Sequence, residues 1–168
     1  MPFDLPGVKP GSDIESLFKA VGFFVVQWGH AEQCLDLMVA AIFYGFDGNP
    51  LLKNRPKMLA QKLEFLRKSF TQFSGLEQFR SDGESLLARF STIGNKRHEL
   101  VHGAITNLEI ENGEFLFAKL DINKDGHHLR DVALGQSDFS SLVQELLRLG
   151  SDTNKLARQV WATVKECP

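Results

Sequence analysis

The sequence predicts a mainly α protein: an antiparallel helical bundle with a small antiparallel β-meander inserted before the last helix. Three observations lead there. Apolar residues recur in heptads over about 12–44, far too long a run for a strand. Two further stretches, 59–70 and 76–102, carry apolar stripes at helical spacing. The period then falls to two across 104–134, around the turn-forming pairs Asn112-Gly113 and Asp125-Gly126.

Residues 1–11, with Pro2, Pro6 and Pro10, read as an extended arm without the basic and apolar regions of a secretion signal. Ser12 opens the first helix through the capping box 12-SDIE-15. Three heptad lines follow: Ile14, Val21, Trp28, Leu35, Ile42; Leu17, Phe24, Ala31, Met38; and Phe18, Val25, Glu32, Val39. One helix over 12–44 would run on the order of 48 Å, and 45-GFDGNP-50 ends it. Asn54 to Pro56 restarts a helix with Pro56 in its first turn and Leu59, Leu63, Leu66 and Phe70 as its buried stripe.

A break near Ser74-Gly75 precedes a helix over 76–102, with Phe79, Leu86, Phe90, Ile93 and Leu100 on one side and Gly83 and Gly94 as weak points. Thr106, Leu108 and Ile110 then alternate with polar residues; Glu114 to Asp121 and His127 to Leu134 supply two more strands. Ser137 caps the last helix, whose inward side is Phe139, Leu142, Val143, Leu146, Val160, Trp161 and Val164, with Gly150 placed to kink or break it. No repeat or low-complexity linker divides the chain, so a single domain over 1–168 is expected, with the meander at about 104–134.

The composition, 168 residues with 43% hydrophobic and 24% charged, suits one domain with a real core. No apolar run reaches the roughly 18 residues of a membrane span, so no membrane partner is expected. Cys34 and Cys167 are far apart and unpatterned, which points to a reduced, cytoplasmic protein. A net charge of −2 excludes a polycationic field over the whole surface; a nucleic-acid role needs a local basic patch, or one assembled across a dimer. Fourteen phenylalanines against one tyrosine point to a ring-filled core rather than an aromatic binding platform.

The chemistry concentrates in 95-NKRHELVHGAI-105. At ~100° per residue Arg97 falls in the middle of the apolar face, between Ile93 and Leu100. An arginine there needs a partner, because an unpaired buried charge is very costly. That partner could be structural, a dimer contact or a ligand. Glu32 is the mirror anomaly, since its heptad relatives are Phe18, Val25 and Val39. It could pair with Arg97 across the bundle, share a polar cleft with it, or lie solvated at the edge of the stripe.

The same stretch also spells His-Glu-x-x-His. His98 and His102 are one turn apart, as two zinc ligands must be, and Glu99 stands where a general base would. Against a zinc hydrolase, Gly103 follows at once, Ile105 and Leu108 occupy positions where the longer motif needs Gly and His, and nothing marks Glu109, Glu111, His127 or His128 as a third ligand. No metal or cofactor is therefore expected. His127-His128 reads as a solvated hairpin pair, and His30, near Trp28, either lines a cleft with Glu32 or faces water.

Arg97 and His102, with four residues between them and Gly103 next, resemble the Arg-x(4–6)-His signature of the HEPN superfamily of helical domains. The run 86-LLARFSTIGNK-96 is similar to the apolar approach to that motif, 23-FFVVQWGHAEQCLDLM-38 to its Trp-x-x-x-Glu-x-x-Leu helix, and 55-RPKMLAQKLEFLR-67 to its linking helix. The resemblance covers about 13–105; the meander lies outside it, and His98 stands where Asn or Asp is commoner. It implies a homodimer whose two motifs form a composite cleft, and a metal-independent endoribonuclease in which the 2′-hydroxyl attacks the adjacent phosphate. His102 would be the acid/base and Arg97 the phosphate clamp, with His98, Glu32 and Asn95 supporting and Glu32 orienting Arg97. RNA capture would rest on Lys96, Arg97, Arg89 and the histidines. A toxin or defence role with an antitoxin or other protein partner is part of this expectation. The alternatives are a non-catalytic HEPN-like module binding a nucleotide, an RNA or a protein, and the zinc hydrolase. Because Arg97 and His102 stand ~140° apart on a straight helix, either the helix loosens before Gly103 or the partner chain completes the site.

Overall fold

The computed structural model describes residues 9, 11–46, 48, 51–111, 114–124 and 126–166, with side chains for all but 106–111, 123, 136 and 165–166. Among them are four α-helices, α1 (Asp13–Gly45), α2 (Leu59–Gln72), α3 (Arg80–His102) and α4 (Gln136–Glu166), a 3-10 helix at Ser74–Phe79, and three strands, β1 (Ala104–Glu111), β2 (Glu114–Asn123) and β3 (Gly126–Gly135). The chain is mainly α with a three-stranded antiparallel sheet before the last helix, as the heptads and the change of period predict. The expected turn at Asn112-Gly113, most of the arm at 1–11, Asp125, Cys167 and the side chains of Thr106, Leu108 and Ile110 lie outside the described residues. No described helix is long and apolar enough to cross a membrane.

The boundaries differ where local chemistry competes. Ser12 Oγ accepts from the Glu15 amide at 3.4 Å, but Glu15 reaches back to the Gly11 amide, at 2.6 Å, rather than to Ser12. α2 begins at Leu59, later than predicted. Pro56 biases Arg55 away from helix, and Met58 at the N-cap is extended and offers no capping side chain. The start of α4 is tied by Asp138, whose Oδ2 accepts from the Gly135 amide at 2.8 Å, and not by Ser137. Gly150 does not end α4, which runs through it; the glycine is buried against His30 and Ala31. Trp161, expected inside, is half-exposed.

The chain divides into two compact units, Met1–Val26 with Gly94–Glu145, and Gln27–Ile93 with Leu146–Pro168, so α1, α3 and α4 each contribute to both. In the second unit Trp28 meets Phe90 edge-on at 5.8 Å, and Phe43 meets Phe65 at 6.0 Å. A Cβ on Gly83 would fall 2.5 Å from the Phe70 ring, so this glycine allows the close approach of α2 and α3 instead of breaking the helix.

In the first unit β2 and β3 pair in continuous register from Glu114↔Gly135 to Asn123↔Gly126, while β1 and β2 shift register after Ile105 and again after Asn107. Alternation gives the β2–β3 hairpin two faces. Phe115, Phe117, Val132 and Leu134 are buried on one, and Lys119, Asp121 and Arg130 continue that face toward the hairpin end. Leu120, Ile122 and Leu129 are exposed on the other. Of the three heptad lines on α1, the third opens: Phe18 and Val25 are 40% and 38% exposed, and only Val39 is fully buried.

Candidate functional site

α3 remains an α-helix through His102, and the Gly103 amide still donates to the Glu99 carbonyl at 2.8 Å. The helix therefore does not loosen before Gly103. A Cβ at 103 would sit 2.6 Å from that carbonyl oxygen and 3.2 Å from Phe117 Cβ, so glycine lets the chain leave the helix for β1 against β2. The rings of His98 and His102 meet one turn apart, centroids 4.6 Å and planes tilted by 53°.

Arg97 lies between the buried Ile93 and Leu100, as the periodicity predicts. The partner that its position demands is missing among the described residues: no carboxylate pairs with it, and its Nε is buried without a hydrogen-bond acceptor. Asn95 is exposed at the same end of α3.

Glu99 is committed. It is 12% exposed, and its carboxylate accepts from Arg130 Nη2 at 2.8 Å and Lys96 Nζ at 3.1 Å. Burial pushes its pKa up, but these two cations outweigh burial and leave it below the ordinary carboxylate value. Arg130 also donates through Nε to Asp121 at 2.6 Å, and Lys119 pairs with Asp121 at 3.0 Å. An ionised, doubly paired Glu99 is a poor general base, which counts against the zinc hydrolase. Among the described residues no three His, Cys, Asp or Glu side chains gather where a metal could be held.

His98 is held below its ordinary pKa. Burial is the largest cause, followed by the positive charges of Lys119, His102 and Arg97, with Asp121 opposing. The neutral ring is therefore favoured, and His98 is expected to titrate below about 6.5 in an NMR pH series. The folded state resists protonation here, so this histidine costs stability only as pH falls below about 6.5 toward the folded value. Lys119→Met should move the midpoint upward; an unchanged midpoint would remove Lys119 from the cluster.

Two expected capture residues are occupied. Lys96 is paired with Glu99, and Arg89 with Asp152 at 2.6 Å. Glu32, expected to orient Arg97, has both carboxylate oxygens engaged in the second unit: Oε1 by Lys62 Nζ and Oε2 by Trp28 Nε1, each at 3.0 Å. Lys62 is only 4% exposed and also pairs with Asp36 at 2.9 Å. Burial depresses the Lys62 ammonium, but hydrogen bonds to Asp36 and Glu32 with their charges outweigh it and raise its pKa. The sequence reading missed Lys62, although it falls on the α2 stripe beside Leu59, Leu63 and Leu66. It also missed Lys119, Asp121 and Arg130, whose shared face follows from strand alternation and register together. His127 and His128 are exposed on β3, and the exposed His30 has Nε2 4.0 Å from Cys34 Sγ. Comparison with protein-family models, curated proteins and solved structures finds no match to the chain.

Proposed function

We propose that the chain is a HEPN-like, metal-independent endoribonuclease that works as a dimer. The observation that carries this reading is Arg97: a guanidinium with a buried, unsatisfied Nε, on the same helix end as the His98–His102 pair. A buried donor of this kind is costly unless a ligand completes it, and a phosphate oxygen is the acceptor that an arginine fork fits best.

The chemistry distributes over these groups. The RNA 2′-oxygen attacks the adjacent phosphorus as its proton passes to a neutral imidazole. The bond from phosphorus to the 5′-oxygen breaks, and that oxygen takes a proton from an imidazolium. The products are a 2′,3′-cyclic phosphate and a 5′-hydroxyl. His98, its pKa lowered, suits the accepting role, and His102, one turn along the helix, is assigned the donating one. Arg97 stabilises the charge gathered on the phosphoryl oxygens. Since α3 stays regular, Arg97 and His102 cannot both face one phosphate from a single chain, and a second copy supplies the missing group. The half-open Phe18 and Val25 on α1, a line that the heptads mark for burial, support self-association. An RNase of this kind in the cytoplasm calls for a restraining partner of antitoxin type.

The test is cleavage of RNA by purified protein in excess EDTA, beside His102→Ala, with sedimentation to give the oligomeric state. Chelator-resistant cutting by a dimer, lost in the variant, is expected. A monomer that cuts would sink the composite site. A dimer that does not cut would favour the non-catalytic module, which the net charge of −2 and the occupied Lys96 and Arg89 also favour.

A further inference from the structure

We infer that the second unit carries a separate binding site for a single-stranded oligonucleotide, in the cavity before and along α2. The cavity measures about 990 Å³, and Lys53, Arg55 and Lys57 of the segment 53-KNRPK-57 line it together with Lys68 and Tyr44. Glu64, the one acid among the described lining residues, is paired with Lys68 at 2.7 Å. Lys53, Arg55 and Lys57 have no carboxylate partner among the described residues. Three unneutralised cations within five residues stand out on a chain whose net charge is −2, and the field in a concave site of one sign is focused on what enters it.

Tyr44 supplies the second half of the chemistry. It is the one tyrosine of the chain and is 73% exposed, with its ring braced edge-on against Phe43 at 5.2 Å. An exposed, braced ring beside a basic groove is the pairing that single-stranded nucleic-acid sites use: cations follow the backbone and rings stack on bases. Phe65, 1% exposed, also lines the cavity, and the buried Pro56 stiffens the basic segment. The volume lies at the upper end of small-ligand pockets, and the three cations stand at alternate positions of the segment, a spacing that suits a chain of phosphates better than a lone one. An acidic peptide would use the cations and leave the ring idle.

None of these residues belongs to the Arg97 cluster, so the inference stands or falls apart from the RNase reading. The test uses fluorescence anisotropy with labelled oligothymidylate of about eight nucleotides, inside the range that single-strand sites cover. It lacks the 2′-hydroxyl and cannot be cut by the proposed chemistry. The full chain is expected to bind it at low salt. Lys53→Ala/Arg55→Ala/Lys57→Ala should weaken binding at least tenfold and lower the slope of log affinity against log salt by about 2, at roughly 0.7 per phosphate contact. Tyr44→Ala should weaken binding by about tenfold while leaving that slope unchanged. All four side chains are exposed, so unchanged thermal midpoints are expected to show intact folding. Absent binding by wild type, wild-type affinity in the triple variant, or equal displacement by polyglutamate of matched charge would each overturn the assignment.

Discussion

Arg97→Met is expected to abolish RNA cleavage in EDTA and to leave the protein more stable than wild type. The two effects share one cause. Arg97 falls between Ile93 and Leu100 along α3, half-buried, with its Nε buried and unpaired among the described residues. Leaving such a donor unsatisfied costs about 1–3 kcal/mol. Methionine keeps the unbranched stem, fills the volume and removes the polar atoms. A gain of about 1 kcal/mol, or about 2–4 °C in thermal midpoint for a chain of this size, is the expected sign and scale. Loss of the phosphate clamp should lower cleavage by about 10²–10³-fold or more. A structural arginine would behave the other way, with stability falling in the variant. Denaturant melts beside cleavage assays decide between them, and lower stability in Arg97→Met would defeat the clamp assignment.

Lys62→Ala is expected to destabilise the chain by about 2 kcal/mol, roughly 4–8 °C in midpoint. The ammonium is buried between Glu32 and Asp36, and its removal leaves two carboxylates facing each other on one turn of α1. Breaking a fully buried pair costs about 3–5 kcal/mol; the smaller figure allows for solvent at the acids, whose side chains are 33% and 39% exposed. The pH dependence has a definite sign. Because the folded pKa of Lys62 is raised, its contribution is fully present below the unfolded lysine value of about 10.4 and is lost as pH rises through the folded value. Wild type should therefore lose stability on the alkaline side of about pH 10.4, and the variant should lose less. A Lys62→Ala midpoint equal to wild type would mean that the cluster contributes nothing.

Much of the local architecture was legible beforehand. The α1 heptads place Leu17, Phe24, Leu35 and Ile42 correctly inside, because burial of a helix face repeats every 3.6 residues whatever it packs against. The third line failed at Phe18 and Val25, since periodicity marks the apolar residues but not how wide a face the neighbours cover. The α2 boundary failed because Pro56 fits a first helical turn and an extended lead-in equally well; the chain takes the second and stays extended to Met58. Around the candidate site, the placement of Arg97 on the apolar face and the shared face of His98 and His102 followed from helical angles alone.

By itself the sequence determined the order of α-helices and strands and the apolar lines that each carries, because periods of 3.6 and 2 and glycine turns are local properties of the backbone. Only the tertiary structure decided which charges meet. Glu32 is answered by Lys62, thirty residues away in the chain, and Glu99 by Arg130, thirty-one away. Arg97 is answered by no described residue. Ion pairs between elements depend on which faces pack and at what depth, and an electrostatic contact of a few ångströms has no period along the chain that could announce it.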